Sequence, residues 1–201
     1  MALNFANNNS LSAITTKPSG LSGGALNLIS TQTASSSSTI SFTSGIDDTY
    51  DSYVFKFYDI HPATDNTFLT FQADTGTNTN YNQTITSTFF KALHNESGST
   101  SALSYDTASD LAQSTSFQYL SRNVGNDNDQ SISGTLQVFL PSSSTFVKHF
   151  ISRTNVYTND DYSIDSAIAG YFNTTTALTR FQFKMASGNI DSGVIKLYGI
   201  S

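Results

Sequence analysis

Short strand-like runs recur along most of the chain, and this recurrence limits the fold more than any other feature. From residue 26 onward, runs of alternating or β-branched apolar residues are separated by segments rich in Ser, Thr, Asn and Gly. Such spacing predicts an antiparallel sandwich or barrel. The runs are Leu26–Thr31, Thr39–Thr43, Ser52–Tyr58, Thr67–Ala73, Tyr81–His94, Ser116–Leu120, Ser131–Leu140, Thr145–Thr154, Ile164–Phe172, Arg180–Met185 and Val194–Tyr198.

Composition supports a folded and mostly β chain. Ser, Thr and Asn make up 76 of the 201 residues, and these small polar side chains compete with helical hydrogen bonds. The 15 Phe and 10 Tyr residues are too many for a disordered chain and are sufficient to fill a core. The single helix candidate is Thr107–Gln113, where Ala108, Leu111 and Ala112 share one side after a threonine cap.

The last two runs predict the clearest hairpin of the chain. Phe181, Phe183 and Met185 share one face of the first run, and the segment Ala186–Gly193 supplies turn residues. Ile195 then lies on the returning run. We therefore expect these two runs to pair side by side in one sheet.

The first 25 residues differ from the rest because turn and linker signals enclose scattered apolar residues. We predict an extended N-terminal arm over residues 1–25, followed by a single β-sandwich domain over residues 26–201. Two interpretations of the arm stay open, a flexible tail and a segment that becomes ordered against a neighbouring subunit. In the second interpretation its contact residues are Leu3, Phe5, Leu11 and Ile14.

Two of the predicted strands are apolar on both faces. In the run that begins at residue 145, Phe146 and Phe150 are expected on one face and Ile151 on the other. In the run that begins at residue 52, the second face carries Val54 and Tyr58. An isolated two-layer sandwich has a wet outer face on each sheet, so something should cover these strands. A long loop or the arm is one explanation, and a subunit interface through Val54, Tyr58, Phe146 and Phe150 is the other.

Charge and cysteine content exclude several classes of function. The net charge is −6, whereas a nucleic-acid-binding protein normally carries a basic stripe, so we expect no nucleic acid partner. The absence of Cys excludes thiol catalysis and disulfide frameworks. No apolar run approaches the roughly 20 residues of a membrane helix, so we expect no membrane insertion.

Candidate chemistry in the sequence is weak. His61, His94 and His149 lie apart and no nucleophile motif accompanies them, so we expect a protein without catalytic residues or cofactors. Asp127 and Asp129 alternate with Asn in one loop and are weak calcium candidates, because a hard cation needs six to eight oxygen ligands. An Asx-rich turn that bonds its own backbone is the alternative interpretation.

Sugar binding stays open as a second class of function. The loops Asp74–Asn82 and Asn155–Tyr162 combine Tyr and Asn, which can present flat rings and amides to a glycan. The chain contains no Trp, the favoured stacking residue. A hydrolase would require two loop carboxylates in one cleft, which sequence alone does not test.

The closing segment Ala186–Ile200 resembles the ending of small structural proteins from marine tailed phages of cyanobacteria and Pelagibacter-like hosts. The segments Leu28–Ser36, Ser41–Asp47, Tyr50–Tyr53 and Asp59–Asp65 resemble the same proteins. The resemblance covers most of the chain from residue 26 and implies a virion component, such as a capsid decoration protein, a fibre or a tail subunit, that forms a homotrimer. It implies no active-site residues.

Together these observations predict a non-enzymatic all-β protein, an antiparallel β-sandwich that is most simply a jelly roll, located in a virion. Its expected partners are copies of itself and other capsid or tail proteins. The alternative function is a receptor-binding or glycan-binding module of the virion surface, with a host-surface glycan as ligand.

Overall fold

The computed structural model describes residues 26–201, and this part of the chain is all-β. The predicted arm with Leu3, Phe5, Leu11 and Ile14 lies outside the described residues. No helix of the described residues is long and apolar enough to cross a membrane.

The twelve strands are β1 (Asn27–Ser37), β2 (Ile40–Phe42), β3 (Ser52–Pro62), β4 (Leu69–Thr75), β5 (Ile85–Asn95), β6 (Ser101–Tyr105), β7 (Gln118–Tyr119), β8 (Ile132–Phe139), β9 (Lys148–Tyr157), β10 (Tyr162–Phe172), β11 (Leu178–Met185) and β12 (Ile190–Ile200).

The strands form two antiparallel sheets of unequal size. The large sheet has eight strands in the order β1-β12-β3-β8-β9-β10-β5-β6. The small sheet has four strands in the order β2-β11-β4-β7. Every strand pair in both sheets is antiparallel, as the predicted sandwich requires.

One aromatic core joins the two sheets. Phe183 of β11 is fully buried, and its ring centre lies 5.0 Å from that of Phe55 and 5.4 Å from that of Phe57 in the large sheet. Phe71 of β4 likewise packs edge-on against Phe150 of β9 at 5.1 Å. Such edge-to-face pairs are favoured by the charge distribution of aromatic rings. The inner faces of the two sheets therefore share one hydrophobic core.

The predicted hairpin of the last two strands is wrong. β11 belongs to the small sheet, whereas β12 pairs with β1 and β3 in the large sheet. Phe183 on β11 and Ile195 and Leu197 on β12 are all buried in the shared core. Their apolar faces meet across the core, so the segment between them connects two sheets. A hairpin within one sheet and a pair of strands facing each other across the core give the same local alternation of apolar and polar residues.

The predicted helix over Thr107–Gln113 is also wrong, because this segment forms a turn. Its backbone donors are satisfied by other partners: Ser109 N–H donates to Asp106 O, and Leu111 N–H donates to the hydroxyl of Ser87 on β5. The strand β6, which precedes this turn, has only five residues and was not predicted.

Irregular segments of the same chain cover the outer face of the small sheet. Thr70, Gln72 and Asp74 alternate with core residues on β4 and yet are almost fully buried. The Gln72 side-chain amide donates to the carbonyl oxygens of Gln83, Thr115 and Ser116 at 3.0–3.2 Å. In the small sheet, β4 is therefore buried on both faces because loops of the same chain cover its outer face.

Candidate assembly surface

The outer face of the large sheet has no such cover within residues 26–201. Side chains that alternate with the core residues of β5 and β9, and side chains of the edge strand β6, are exposed to solvent. Leu103 is 80% exposed, Ile151 50% and Phe90 48%, and Phe90 forms an edge-on pair with Tyr105 at 5.2 Å. Large apolar side chains grouped on one face are typical of a contact surface, whereas single ones are ordinary.

A shallow apolar groove runs across this outer face. Its volume is about 330 Å³, and it lies over β5, β9 and β10. The small side chain of Ala169 leaves space at this point of the outer face. Gly170 keeps the strands close, because a Cβ there would lie 2.6 Å from the Thr86 carbonyl oxygen. The groove is lined by Thr86, Ser87, Thr88, His149, Phe150, Ile151, Ala169, Gly170 and Tyr171.

A pair of lysines occupies the part of the outer face that lies over β3 and β12. Lys56 and Lys196 are directly opposite each other across the two strands. Each ammonium group is 5.5 Å from the ring centre of a tyrosine, Lys56 over Tyr198 and Lys196 over Tyr58. We call Lys56 and Lys196 the lysine pair. No carboxylate of the described residues lies within ion-pair distance of either lysine.

Two strands away from Lys56, Arg153 continues the basic row. The strand register places Lys56 opposite Thr135, and Thr135 opposite Arg153. Arg153 forms a two-bonded ion pair with Asp165 at 2.6–3.2 Å. Arg153 and Asp165 therefore neutralise each other, and the unpaired positive charge of the outer face lies over β3 and β12, although the whole chain is acidic.

Carboxylates are concentrated at one end of the molecule, where β3, β5 and β9 end and β8, β10 and β12 begin. Carboxylates raise the pKa of Tyr157 at this end to about 12, with the hydrogen bond to Glu96 as the largest cause and Asp161 adding to it. No Lys or Arg of residues 26–201 forms an ion pair with any carboxylate of this group. The group, which we call the acidic end, consists of Asp59, Asp65, Glu96, Asp127, Asp129, Asp160, Asp161 and Asp191, all exposed.

The predicted calcium residues are part of the acidic end. Backbone bonds hold the turn around Asp127, since its carbonyl oxygen accepts from Gln130 N–H at 2.9 Å and lies 3.2 Å from His61 Nε2. No three His, Cys, Asp or Glu side chains converge on one point in the described part of the chain. Asp127 and Asp129 thus offer two carboxylates in an exposed turn, and calcium stays a prediction.

The four predicted interface residues within the described chain differ in their exposure to solvent. Tyr58 is 41% exposed and Phe146 70% exposed, as a contact surface requires. Val54 lies on the outer face but is only 6% exposed among its neighbours. Phe150 is 1% exposed and packs against Phe71 and Phe172, so the prediction that it is available to a partner is wrong.

Phe146 and Phe150 fail to share a face because β9 begins only at Lys148. Lys148 is fully buried, and its ammonium group donates to the carbonyl oxygens of Phe146 at 2.9 Å and Thr174 at 3.1 Å. Burial lowers the pKa of this ammonium group. These bonds fix the Phe146 backbone in the preceding loop and leave its ring in solvent.

The histidines and the glycan-binding loops show no shared site. His61 lies at the acidic end, with its Nδ1 atom 3.7 Å from Asp191 Oδ2. His149 lies on the outer face, with its ring centre 6.2 Å from that of Tyr171. Tyr81, expected to present its ring to a glycan, is 5% exposed. The loop Asp74–Asn82 therefore does not present this tyrosine ring to a ligand.

Sequence reasoning missed the lysine pair and the exposed Phe90, Leu103 and Tyr105. Leu103 and Tyr105 do alternate with polar residues, but their strand is too short to be recognised. The lysine pair depends on a register between two strands about 140 residues apart, which no local pattern contains.

No protein-family profile matches this chain, and neither a curated protein nor a solved structure shows significant similarity to it.

Proposed function

We propose that this protein is a non-enzymatic structural subunit that assembles with copies of itself, as a homotrimer, and with other proteins of a tailed-phage virion. The virion location follows from the sequence resemblance and stays a prediction. The observation that supports an assembly role is the uncovered outer face of the large sheet, with its apolar groove and exposed Phe90, Leu103 and Ile151. The same chain covers the corresponding face of the small sheet.

The area of the outer face is sufficient for a stable contact. Eight strands spaced about 4.8 Å apart and about ten residues long give a face of roughly 1,100 Å². A standard protein interface buries about 800 Å² on each partner, and a few aromatic side chains supply most of the energy. Phe90, Tyr105 and Tyr58 are the exposed aromatic side chains on the strands of this face.

Strand pairing supports the jelly roll as the finer description of the fold, which stays part of this proposal. β1 pairs with β12, β2 with β11 and β5 with β10, so early strands pair with late ones in a nested order. Consecutive strands β1 to β4 also alternate between the two sheets. This nesting is what a long hairpin wrapped into two sheets would produce.

A polar depression supports the alternative, a glycan-binding or receptor-binding module. It has a volume of about 460 Å³ and is lined by Asp59, His61, Asn128, Asp129, Gln130, Ser131, Asp191 and Ser192. Carboxylate and amide groups of this kind can bond sugar hydroxyls. A glycan array and a host-cell adsorption assay test this alternative. If the protein is retained in neither assay, the glycan-binding or receptor-binding function is excluded.

Light scattering on the purified chain tests the main proposal. At micromolar concentration we expect a symmetric oligomer, with a trimer as the predicted size, and no turnover of any substrate. A monomer over the whole concentration range would contradict the proposal. Labelling the protein on intact particles then tests the virion location and separates decoration, fibre and tail roles.

A further inference from the structure

We infer that the lysine pair on the outer face of the large sheet binds carboxylates of the acidic end of a second copy of this chain. The inference rests on the proposed assembly function and adds the partner surface and the direction of the contact. It would make assembly head-to-tail, with the outer face of one copy against the acidic end of the next.

The first argument is that the lysine pair lacks the counter-charge that a sheet surface normally provides. Like charges directly opposite each other on neighbouring strands destabilise the sheet. Lys56 and Lys196 nevertheless face each other, and Asp165 on the outer face of β10 is already engaged by Arg153. The two ammonium groups lie over Tyr198 and Tyr58, which hold them on the surface without neutralising them.

The second argument concerns the remaining cations of the described chain, of which all but Lys184 bond carboxylate or carbonyl oxygens. Lys91 and Arg122 both pair with Asp106, at 2.9 and 3.3 Å. Lys148 is buried and donates to backbone carbonyls. Arg180 Nε donates to the Gly76 carbonyl oxygen. Lys184 has a ring contact like those of the lysine pair, 4.0 Å from the ring centre of Phe117, but no second lysine lies opposite it in the strand pairing. Within residues 26–201 no Lys or Arg forms an ion pair with the acidic end, so the acidic end is a matching surface for the lysine pair.

The third argument decides between two ways of joining copies. A two-fold symmetric contact of outer face against outer face, with its axis near the lysine pair, would place the lysine pair of one copy close to that of the next and concentrate four ammonium groups. A contact of outer face against acidic end places opposite charges together. Such a contact is heterologous, and it closes into a ring when the rotation between copies allows. A trimeric ring is the simplest closed form consistent with the predicted symmetry.

Charge reversal tests the inference by sedimentation velocity on the full chain. We expect the double variant Lys56→Glu/Lys196→Glu to self-associate about tenfold more weakly or worse, which corresponds to at least about 1.4 kcal/mol. Wild-type association should also weaken as salt concentration rises, because screening reduces the attraction. Lys184→Glu on the small sheet is the matched control and should associate as wild type does.

A charge swap within one chain completes the test. Adding Asp127→Lys and Asp129→Lys to the double variant makes the outer face acidic and the acidic end more basic, so we expect association to recover. If the double variant associates as tightly as wild type, the inference is wrong although the assembly function stands. If it weakens but the charge swap restores nothing, the acidic end is not the partner and the inference is again wrong. A monomeric wild-type chain would instead contradict the assembly function itself.

Discussion

Lys56 and Lys196 occupy directly opposed positions on β3 and β12, with no acidic side chain paired to either. Their repulsion lowers the stability of the isolated subunit, and the two tyrosines recover part of this cost through cation–π contacts. A surface arranged in this way is more favourable when an anionic partner is present than when the subunit is alone.

Salt should therefore stabilise the isolated wild-type subunit more than a variant with one lysine. We expect the free energy of unfolding of wild type to rise relative to that of Lys196→Gln by a few tenths of a kcal/mol between about 10 mM and about 1 M salt, as the Debye length falls from about 30 to 3 Å. Urea unfolding of dilute samples measures the difference. A difference that is independent of salt would show that the two ammonium groups do not repel each other.

Phe183 should be the most costly aromatic side chain to remove from the core. It is fully buried, and its ring lies near those of Phe42, Phe55, Phe57 and Phe71. We expect Phe183→Ala to lower the free energy of unfolding by about 3–5 kcal/mol. The control Phe146→Ala removes a ring that is 70% exposed and should stay within about 0.5 kcal/mol of wild type. Equal losses would mean that the two sheets do not pack around Phe183.

The cover over the small sheet should depend on Gln72. Replacing Gln72 by Leu keeps a side chain of similar length but leaves three carbonyl oxygens without their donor. We expect a loss of about 2–4 kcal/mol in the free energy of unfolding. Hydrogen exchange should also become faster in the segments around Gln83 and Thr115. Gln32→Leu, on an exposed position of β1, is the matched control, and a loss as large as that of Gln72→Leu would contradict the account.

Asp106 should make the fold sensitive to acid. Burial raises the pKa of this carboxyl, but the hydrogen bond from Lys91 and the charge of Arg122 outweigh burial, so its pKa lies below the ordinary value of 3.8. A lowered folded pKa contributes stability that is present above pH of about 4 and is lost as pH falls through the folded pKa. The stability difference between wild type and Asp106→Asn should therefore shrink below pH of about 4.

Thermal unfolding of wild type and Asp106→Asn across acidic pH measures this effect. Asp110→Asn is the control, because Asp110 has no cation partner among the described residues and accepts a hydrogen bond from Tyr105. If the loss caused by Asp106→Asn is the same at pH 7 and pH 3, the ion pairs with Lys91 and Arg122 do not contribute to stability.

The sequence predicted the all-β class and eleven of the twelve strands because alternation is a local signal. It failed where partners are distant. The alternation of β11 and β12 is the same whether Phe183 and Ile195 lie side by side in one sheet or meet across a core. The start of β9 at Lys148 is equally invisible locally, since it depends on buried carbonyl partners at Phe146 and Thr174.

The candidate surface was predictable only in outline. The two runs with apolar residues on both faces became β3 and β9 of the large sheet, and no part of residues 26–201 covers the outer face of that sheet, so a cover over these strands stays a prediction. The loop cover lies over β4 of the small sheet, whose outer residues are polar and gave no such signal. Which exposed residues of the large sheet lie together depends on strand order. β5 and β6 pair locally, so Phe90 and Tyr105 could have been placed together once β6 was known. Lys56 and Lys196 could not have been placed together, because their strands are far apart in the sequence.

The most direct test of assembly through the outer face uses the absence of cysteine from the chain. Ala167 lies exposed on the outer face between Phe90 and Arg153, and Ser116 lies exposed in the segment that covers the small sheet. Maleimide labelling of Ala167→Cys should be several-fold slower in the assembled protein than in the diluted, dissociated protein, while Ser116→Cys should react equally in both. Equal reaction of Ala167→Cys in the two states would contradict the claim that the outer face of the large sheet is the assembly surface.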